Sequence, residues 1–470
     1  MRHGIDNIFI NHTEIPHDYH AIVNTSHYSE AMKAAGQIVK ELVEILNEYF
    51  PDTQIIVSLG NNDVVPDYYL ELKEESTPLG NTTLSVEDAG MLGVLFDALS
   101  SNLTTNTKSR SLLTPDDEWT FLRGGFYSRA LHNEKLILLS LNTVLYASYF
   151  APEPIKATDP GNQFQWMRKM LAYSRERHCQ VIIIGHVPPS VGSYRHNQFW
   201  KDDYVKTYHN LVEEYDDVII AQLFGHLHSD EFRVGDKSLA NMNTDRKTHI
   251  IPYVNSPLLL GPSVTPLHGN DPTFRLVRYS RVGGDKKYAQ GKFKLMDYES
   301  YRYTLNTDKF WEKLYTFSEV YNSSFIREEG LSSTTMSAII ESMEDTVYGT
   351  ESPNLKSFRS YVLSGATGDA QRDDVGNDCN EKCRDHWLCT FISASSDGYD
   401  NCLIVRRESR EKAKRITFLS LVSIVGIVLA VGVIVRWRRA NKRSHYESTP
   451  SITCESGPEI EIEERRHNEA

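Results

Sequence analysis

Val218-Ile-Ile-Ala-Gln-Leu-Phe-Gly-His-Leu-His228 is an apolar run that stops at a glycine and two histidines. A short stretch so rich in branched and large apolar side chains suits a strand buried on both faces, and the polar stop marks its end. The same order recurs upstream. Gln180-Val-Ile-Ile-Ile184 meets Gly185-His186-Val-Pro-Pro189, Leu136-Ile-Leu-Leu-Ser-Leu141 meets Asn142, and Gln54-Ile-Ile-Val-Ser-Leu59 meets Gly60-Asn-Asn-Asp63. Between the runs lie segments of helical period: 28–50, with Ala31, Ala35, Ile38, Val39, Leu42, Ile45 and Leu46 on one face, then 163–178 and 198–215. Strands alternating with helices predict an α/β fold. Open α/β sheets bind ligands beyond their strand ends, so loops after successive strands can converge on one site.

The residues at those ends have a common chemistry. Imidazole nitrogens and amide oxygens suit zinc, manganese or iron, and the alternate pair His226 and His228 can serve two adjacent ions. The glycines let the backbone turn sharply and approach an ion closely. From about 248 to 300 the pattern turns β-rich, with Ile250–Val254, Phe274–Val277 and Gly291–Leu295 as strands. Residues 301–365 read as mainly helical, with a Ser/Thr-rich break at 332–337, and 101–111 reads as a surface loop.

The chain has 470 residues, 50 Lys and Arg against 63 Asp and Glu, and a net charge of -13, which argues against a basic face for nucleic acid. Ile416 to Val435 is 20 residues without a charge, a length that matches a hydrocarbon core of about 30 Å, so a transmembrane helix is predicted over 416–435. Basic residues flank it on both sides and do not orient it. Asn-x-Ser/Thr sequons at Asn11, Asn24, Asn81, Asn102 and Asn322 all precede the span. They predict N-glycans, a main body on the lumenal or extracellular side in the secretory pathway (vacuole, lysosome or cell surface), and a disordered cytosolic tail over 436–470. Cys379, Cys383, Cys389 and Cys402 lack CxxC zinc spacing and predict two disulfides, with three pairings open. Cys179 reads as a buried thiol and Cys454 as reduced. The N-terminus carries no apolar signal segment, so the start is expected to be internal to a longer chain.

These loops resemble those of the calcineurin-like metallophosphoesterases, within them the acid sphingomyelinase-like phosphodiesterases and endopolyphosphatases. Further support comes from Phe121-Leu-Arg-Gly-Gly-Phe-Tyr-Ser128, Ser140-Leu-Asn-Thr143, Asp159-Pro160 with Gln163 and Trp166, and Gly261-Pro-Ser-Val-Thr-Pro266 with Asn270, Pro272, Phe274 and Arg275. The resemblance implies a β-sandwich flanked by helices over 1–300, a helical subdomain holding the cysteine cluster over 301–405, the transmembrane helix, and the tail. It implies two divalent ions, zinc first and manganese or magnesium next, that activate water for attack at phosphorus. Asn61, His186 and His226 would hold one ion and His228 the other. Arg2-His3-Gly-Ile-Asp6 resembles the continuation of the family's bridging Gly-Asp, which with Asp-x-His then falls upstream of Met1. His3 is the candidate general acid.

Asn62 stands where sphingomyelinase-like members carry His, and an amide cannot donate a proton to a leaving alkoxide. A phosphate chain leaving from an anhydride needs less help, so the resemblance leans to polyphosphate as substrate, as in endopolyphosphatases. A sphingomyelin or nucleotide phosphodiesterase is the alternative. An inactive membrane glycoprotein is the second alternative.

Overall fold

The computed structural model describes residues 26–73, 84–100, 111–131, 135–152, 158–193, 196–235, 254–266, 270–283, 292–305, 310–321, 326, 330–344, 351–362 and 379–446. The chain divides into two units, Met1–Val405 and Arg406–Ala470. His3, Cys454 and all five sequon asparagines lie outside the described residues.

In the first unit, α1 (Ser26–Tyr49), α2 (Met91–Ser100) and α3 (Pro115–Gly124) precede a hairpin of β1 (Tyr127–Leu131) and β2 (Leu136–Ser140). Then follow α4 (Gln163–Glu176), β3 (Gln180–Ile184), α5 (Asp202–Glu214), β4 (Ile219–Phe224), β5 (Glu231–Arg233) and β6 (Leu258–Leu260). The strands form one six-stranded sheet in the order β1-β2-β3-β4-β6-β5. β2, β3, β4 and β6 run parallel, and β1 and β5 close the two edges antiparallel. The parallel strands are fully or nearly apolar because both faces are covered.

One face carries Ile137, Leu139, Val181 and Ile183, buried against α1 to α5. The other carries Leu136, Leu138, Ile182, Ala221 and Leu259, buried with Phe293, Leu295 and Tyr298 of a second sheet. That sheet is antiparallel and built from β7 (Thr273–Val282), β8 (Lys292–Arg302) and β9 (Glu312–Thr316). Gln180 stitches the layers, donating from Nε2 to the Phe293 carbonyl at 3.0 Å and accepting from the Phe293 amide. The same apolar layer continues into α6 (Phe317–Val320), α7 (Ser333–Glu344), α8 (Pro353–Tyr361) and α9 (Glu381–Ile392). The molecule is a mixed α/β protein, as expected.

The cysteines pair as Cys379–Cys383 and Cys389–Cys402, which selects one of the three pairings, and Cys179 is a buried thiol. The helix α10 (Ser396–Tyr446) contains the apolar stretch, and among the described residues it is the one helix long and apolar enough to cross a membrane.

Several local expectations need correction. Residues 54–59 form no strand. Instead, the Val57 carbonyl accepts from Tyr127 Oη (2.8 Å) and Ser140 Oγ (2.7 Å), and the Val57 amide donates to Tyr127 Oη at 2.8 Å. Of the strand expected at 250–254 only Val254 is described, and it lies outside any strand. Glu312–Thr316, expected helical, is a strand because β8 offers it an edge. The expected break at 332–337 is the first turn of α7, where Ser332 Oγ accepts from the Thr335 amide at 3.1 Å. Serine and threonine there begin a helix. Residues 436–446 of the expected disordered tail continue α10.

Candidate active site

The C-terminal ends of β3 and β4 deliver the loops Gly185-His186 and Gly225-His226-Leu227-His228 side by side, since the strands are adjacent and parallel. The Gly225 amide donates to the His186 carbonyl at 3.0 Å and locks the two loops together. Asn61 arrives from the 3-10 turn Asn61–Asp63, whose start is fixed by the Gly60 amide donating to Asp63 Oδ2 at 2.7 Å. His186 is set by its amide, which donates to Thr143 Oγ1 at 3.0 Å. Glycine matters here for space. A Cβ at Gly60 would stand 3.1 Å from the His186 ring, and one at Gly185 would stand 2.7 Å from Thr143 Cγ2.

Three ligand-type atoms converge. Asn61 Oδ1 lies 2.9 Å from His186 Nε2 and 3.1 Å from His226 Nδ1, and the two nitrogens are 3.3 Å apart. His226 (φ 72) and His228 (φ 56) both occupy the left-handed region, so the unusual backbone falls on the histidines themselves. Such conformations cost roughly 1–3 kcal/mol each and cluster at functional sites. His186 is half-buried. That burial, helped by the nearby charge of His228, pushes its pKa down to about 4. It therefore stays neutral with a lone pair available at physiological pH.

Asn61 Nδ2 donates to Asp67 Oδ1 at 2.8 Å and to Asn62 Oδ1 at 3.1 Å, which turns its carbonyl oxygen toward the imidazoles. Tyr68 Oη lies 3.2 Å from His226 Nε2, and burial holds this phenol well above its usual pKa and so neutral. Phe199 meets His226 edge-on at 5.1 Å, and Tyr149 stands 5.9 Å from Tyr68. Asn61, His186 and His226 thus come together, Asn62 lies beside them, and His228 sits half-buried on the same loop. Periodicity and spacing gave no sign of Asp67 or Tyr68, whose one available signal was polar side chains continuing the Gly60 loop past Pro66.

The other singled-out segments turn out to be supports. Gln163 exchanges two hydrogen bonds with the Asn142 backbone (2.8 and 3.1 Å), Asp159 caps α4 at the Phe164 and Gln165 amides, and Gly125 ends α3 at φ 74. Arg275 pairs with buried Asp230, two residues past His228, and Asp230 also accepts from Ser300 Oγ at 3.0 Å and Tyr315 Oη at 2.8 Å.

Two imidazoles and an amide oxygen aimed at one point fit a borderline divalent cation. Among the described residues no three His, Cys, Asp or Glu side chains gather in such a way, so the amide completes the set. Asn61, His186 and His226 would hold the ion.

No family model matches the chain. It is homologous to the acid sphingomyelinase-like phosphodiesterases. It is 26% identical over 305 residues to sphingomyelinase phosphodiesterase D of Dictyostelium discoideum, covering 64% of this chain and 60% of that protein. It is 24% identical over 385 residues to the cyclic GMP-AMP phosphodiesterase of Bos taurus (78% and 70%). It is 26% identical over 408 residues to acid sphingomyelinase-like phosphodiesterase 3b of Homo sapiens (84% and 77%). The chain thus spans between about three fifths and three quarters of these relatives' lengths. All three are named phosphodiesterases, which supports a phosphoric ester hydrolase.

Proposed function

We propose that this chain hydrolyses phosphodiesters, with water attacking phosphorus at the cluster of Asn61, His186 and His226. The observation that carries the reading is the convergence of these three ligand atoms within 3.3 Å of one another, two of them beyond the ends of the parallel strands β3 and β4. The names of the relatives, which act on sphingomyelin or cyclic GMP-AMP, support a diester class. Asn61, His186 and His226 would hold one divalent ion and His228 would serve a second, and such ions would supply Lewis acidity and a water acidic enough to ionise near neutral pH. The protein's part is to keep His186 neutral, aim the Asn61 carbonyl, and pack Phe199 against His226. A panel of sphingomyelin, a cyclic dinucleotide and polyphosphate, each with zinc, manganese or magnesium, tests it. Metal-dependent release of phosphocholine or a nucleotide is expected. Absence of turnover on every diester, with the wild type folded and loaded, would favour the inactive-glycoprotein reading.

Asn62 supports a second substrate reading, the phosphoanhydride bonds of polyphosphate. Its amide accepts from Asn61 Nδ2 and offers no acid to a leaving alkoxide. Shortening of phosphate chains in the same panel, without diester cleavage, is the outcome that selects it. The exposed apolar stretch of α10 supports anchoring in a bilayer, and the sequons before it support a lumenal or extracellular body. A mobility shift on enzymatic deglycosylation checks that orientation.

A further inference from the structure

We infer that the adjacent residues Asp67 and Tyr68 are positioning residues that aim two of the three ligand groups, Asn61 and His226. The inference rests on the metal-site reading above. A single turn of chain reaches both. Asp67 Oδ1 accepts from Asn61 Nδ2 at 2.8 Å, which fixes the amide so that Oδ1 faces the two imidazoles. Tyr68 Oη lies 3.2 Å from His226 Nε2, with the rings edge-to-face at 6.3 Å. A hydroxyl can accept from Nε2–H, and that tautomer leaves the Nδ1 lone pair free for an ion held between it, Asn61 Oδ1 and His186 Nε2.

The backbone holds this turn in place. Tyr68 has φ 61, a third left-handed non-glycine residue beside those of His226 and His228. Its amide donates to the Asn61 carbonyl at 3.3 Å, and its carbonyl accepts from the Ala151 amide at 3.1 Å, so the turn is tied both to the ligand it orients and to a neighbouring segment. Two left-handed residues, Tyr68 and His226, therefore face each other across one hydrogen bond, an arrangement that persists only where surrounding contacts fix it. Partners that orient a ligand from behind typically contribute 10–100-fold in metal affinity.

The test uses the full chain in detergent micelles. Zinc affinity is measured by titration calorimetry, and the His226 tautomer by nitrogen-15 correlation spectra of the imidazole side chains. Tyr68→Phe keeps the ring and removes the oxygen. It should weaken zinc binding by roughly 10–100-fold, and in the metal-free protein it should shift the His226 tautomer populations. Asp67→Ala, acting through Asn61, should weaken zinc binding to a similar degree. Unaltered zinc affinity and unaltered tautomer populations in Tyr68→Phe would overturn the inference. If the wild type binds no zinc but the tautomer contrast is present, the metal reading fails while the positioning of His226 stands.

Discussion

His226 and His228 sit on a loop rather than inside a strand, so replacing either should remove function without unfolding the protein. We expect His226→Ala and His228→Ala each to lower kcat by at least about 100-fold while Tm shifts by only a few degrees, read by diester turnover and thermal melts. A collapse in Tm would make them structural instead. His186 gives a pH signature in the metal-free protein. Its pKa is pushed down to about 4 in the folded state, against about 6.5 when unfolded, so the folded form binds fewer protons between those values. Its contribution to stability is full above about pH 6.5 and is lost as pH falls toward 4. Wild type should therefore lose Tm more steeply than His186→Asn across that window. Asn62→His should raise activity on diesters with alkoxide leaving groups, because imidazolium can donate the proton an amide cannot. An unchanged rate would remove the leaving-group argument.

At the level of elements, the site depends on strands that the sequence made plain and on ties it did not. The apolar runs of β3 and β4 and the glycine that ends each were legible, because a strand buried on both faces has little freedom in composition. Residues 54–59 read the same way yet form no ladder, since a strand needs a partner backbone and here side chains of Tyr127 and Ser140 take that place. Arg275 was visible only as part of a motif. The structure gives it a reason: it neutralises buried Asp230 just past His228 and ties the segment that follows the His226–His228 loop to the second sheet. Arg275→Ala leaves that carboxylate buried without its cation. We expect a loss of about 3–5 kcal/mol in urea unfolding, the range for breaking a buried pair from one side.

Across the whole molecule, the six-stranded sheet separates two apolar layers, one under the helices and one shared with the second sheet and α7 to α9. The Cys389–Cys402 bridge lies in the second layer, and both cysteines are fully buried. Removing it as a Cys389→Ala, Cys402→Ala double variant should cost about 2–5 kcal/mol, seen as a lower unfolding midpoint. α10 leaves its apolar residues exposed along 416–435, so the full chain should partition into detergent or bilayer while a form ending at Val405 should not.

The sequence by itself determined the alternation of strands and helices, the apolar span, the clustering of four cysteines and the identity of Asn61, His186, His226 and His228 as candidates. Each of these is a local property, set by side-chain type and period along the chain. Tertiary structure decided what no local pattern encodes: which cysteines pair, that Glu312–Thr316 finds a strand edge, and that Asp67 and Tyr68 turn back onto Asn61 and His226. Those outcomes depend on which distant groups meet, and a three-ångström contact between residues 68 and 226 leaves no trace in the spacing of either.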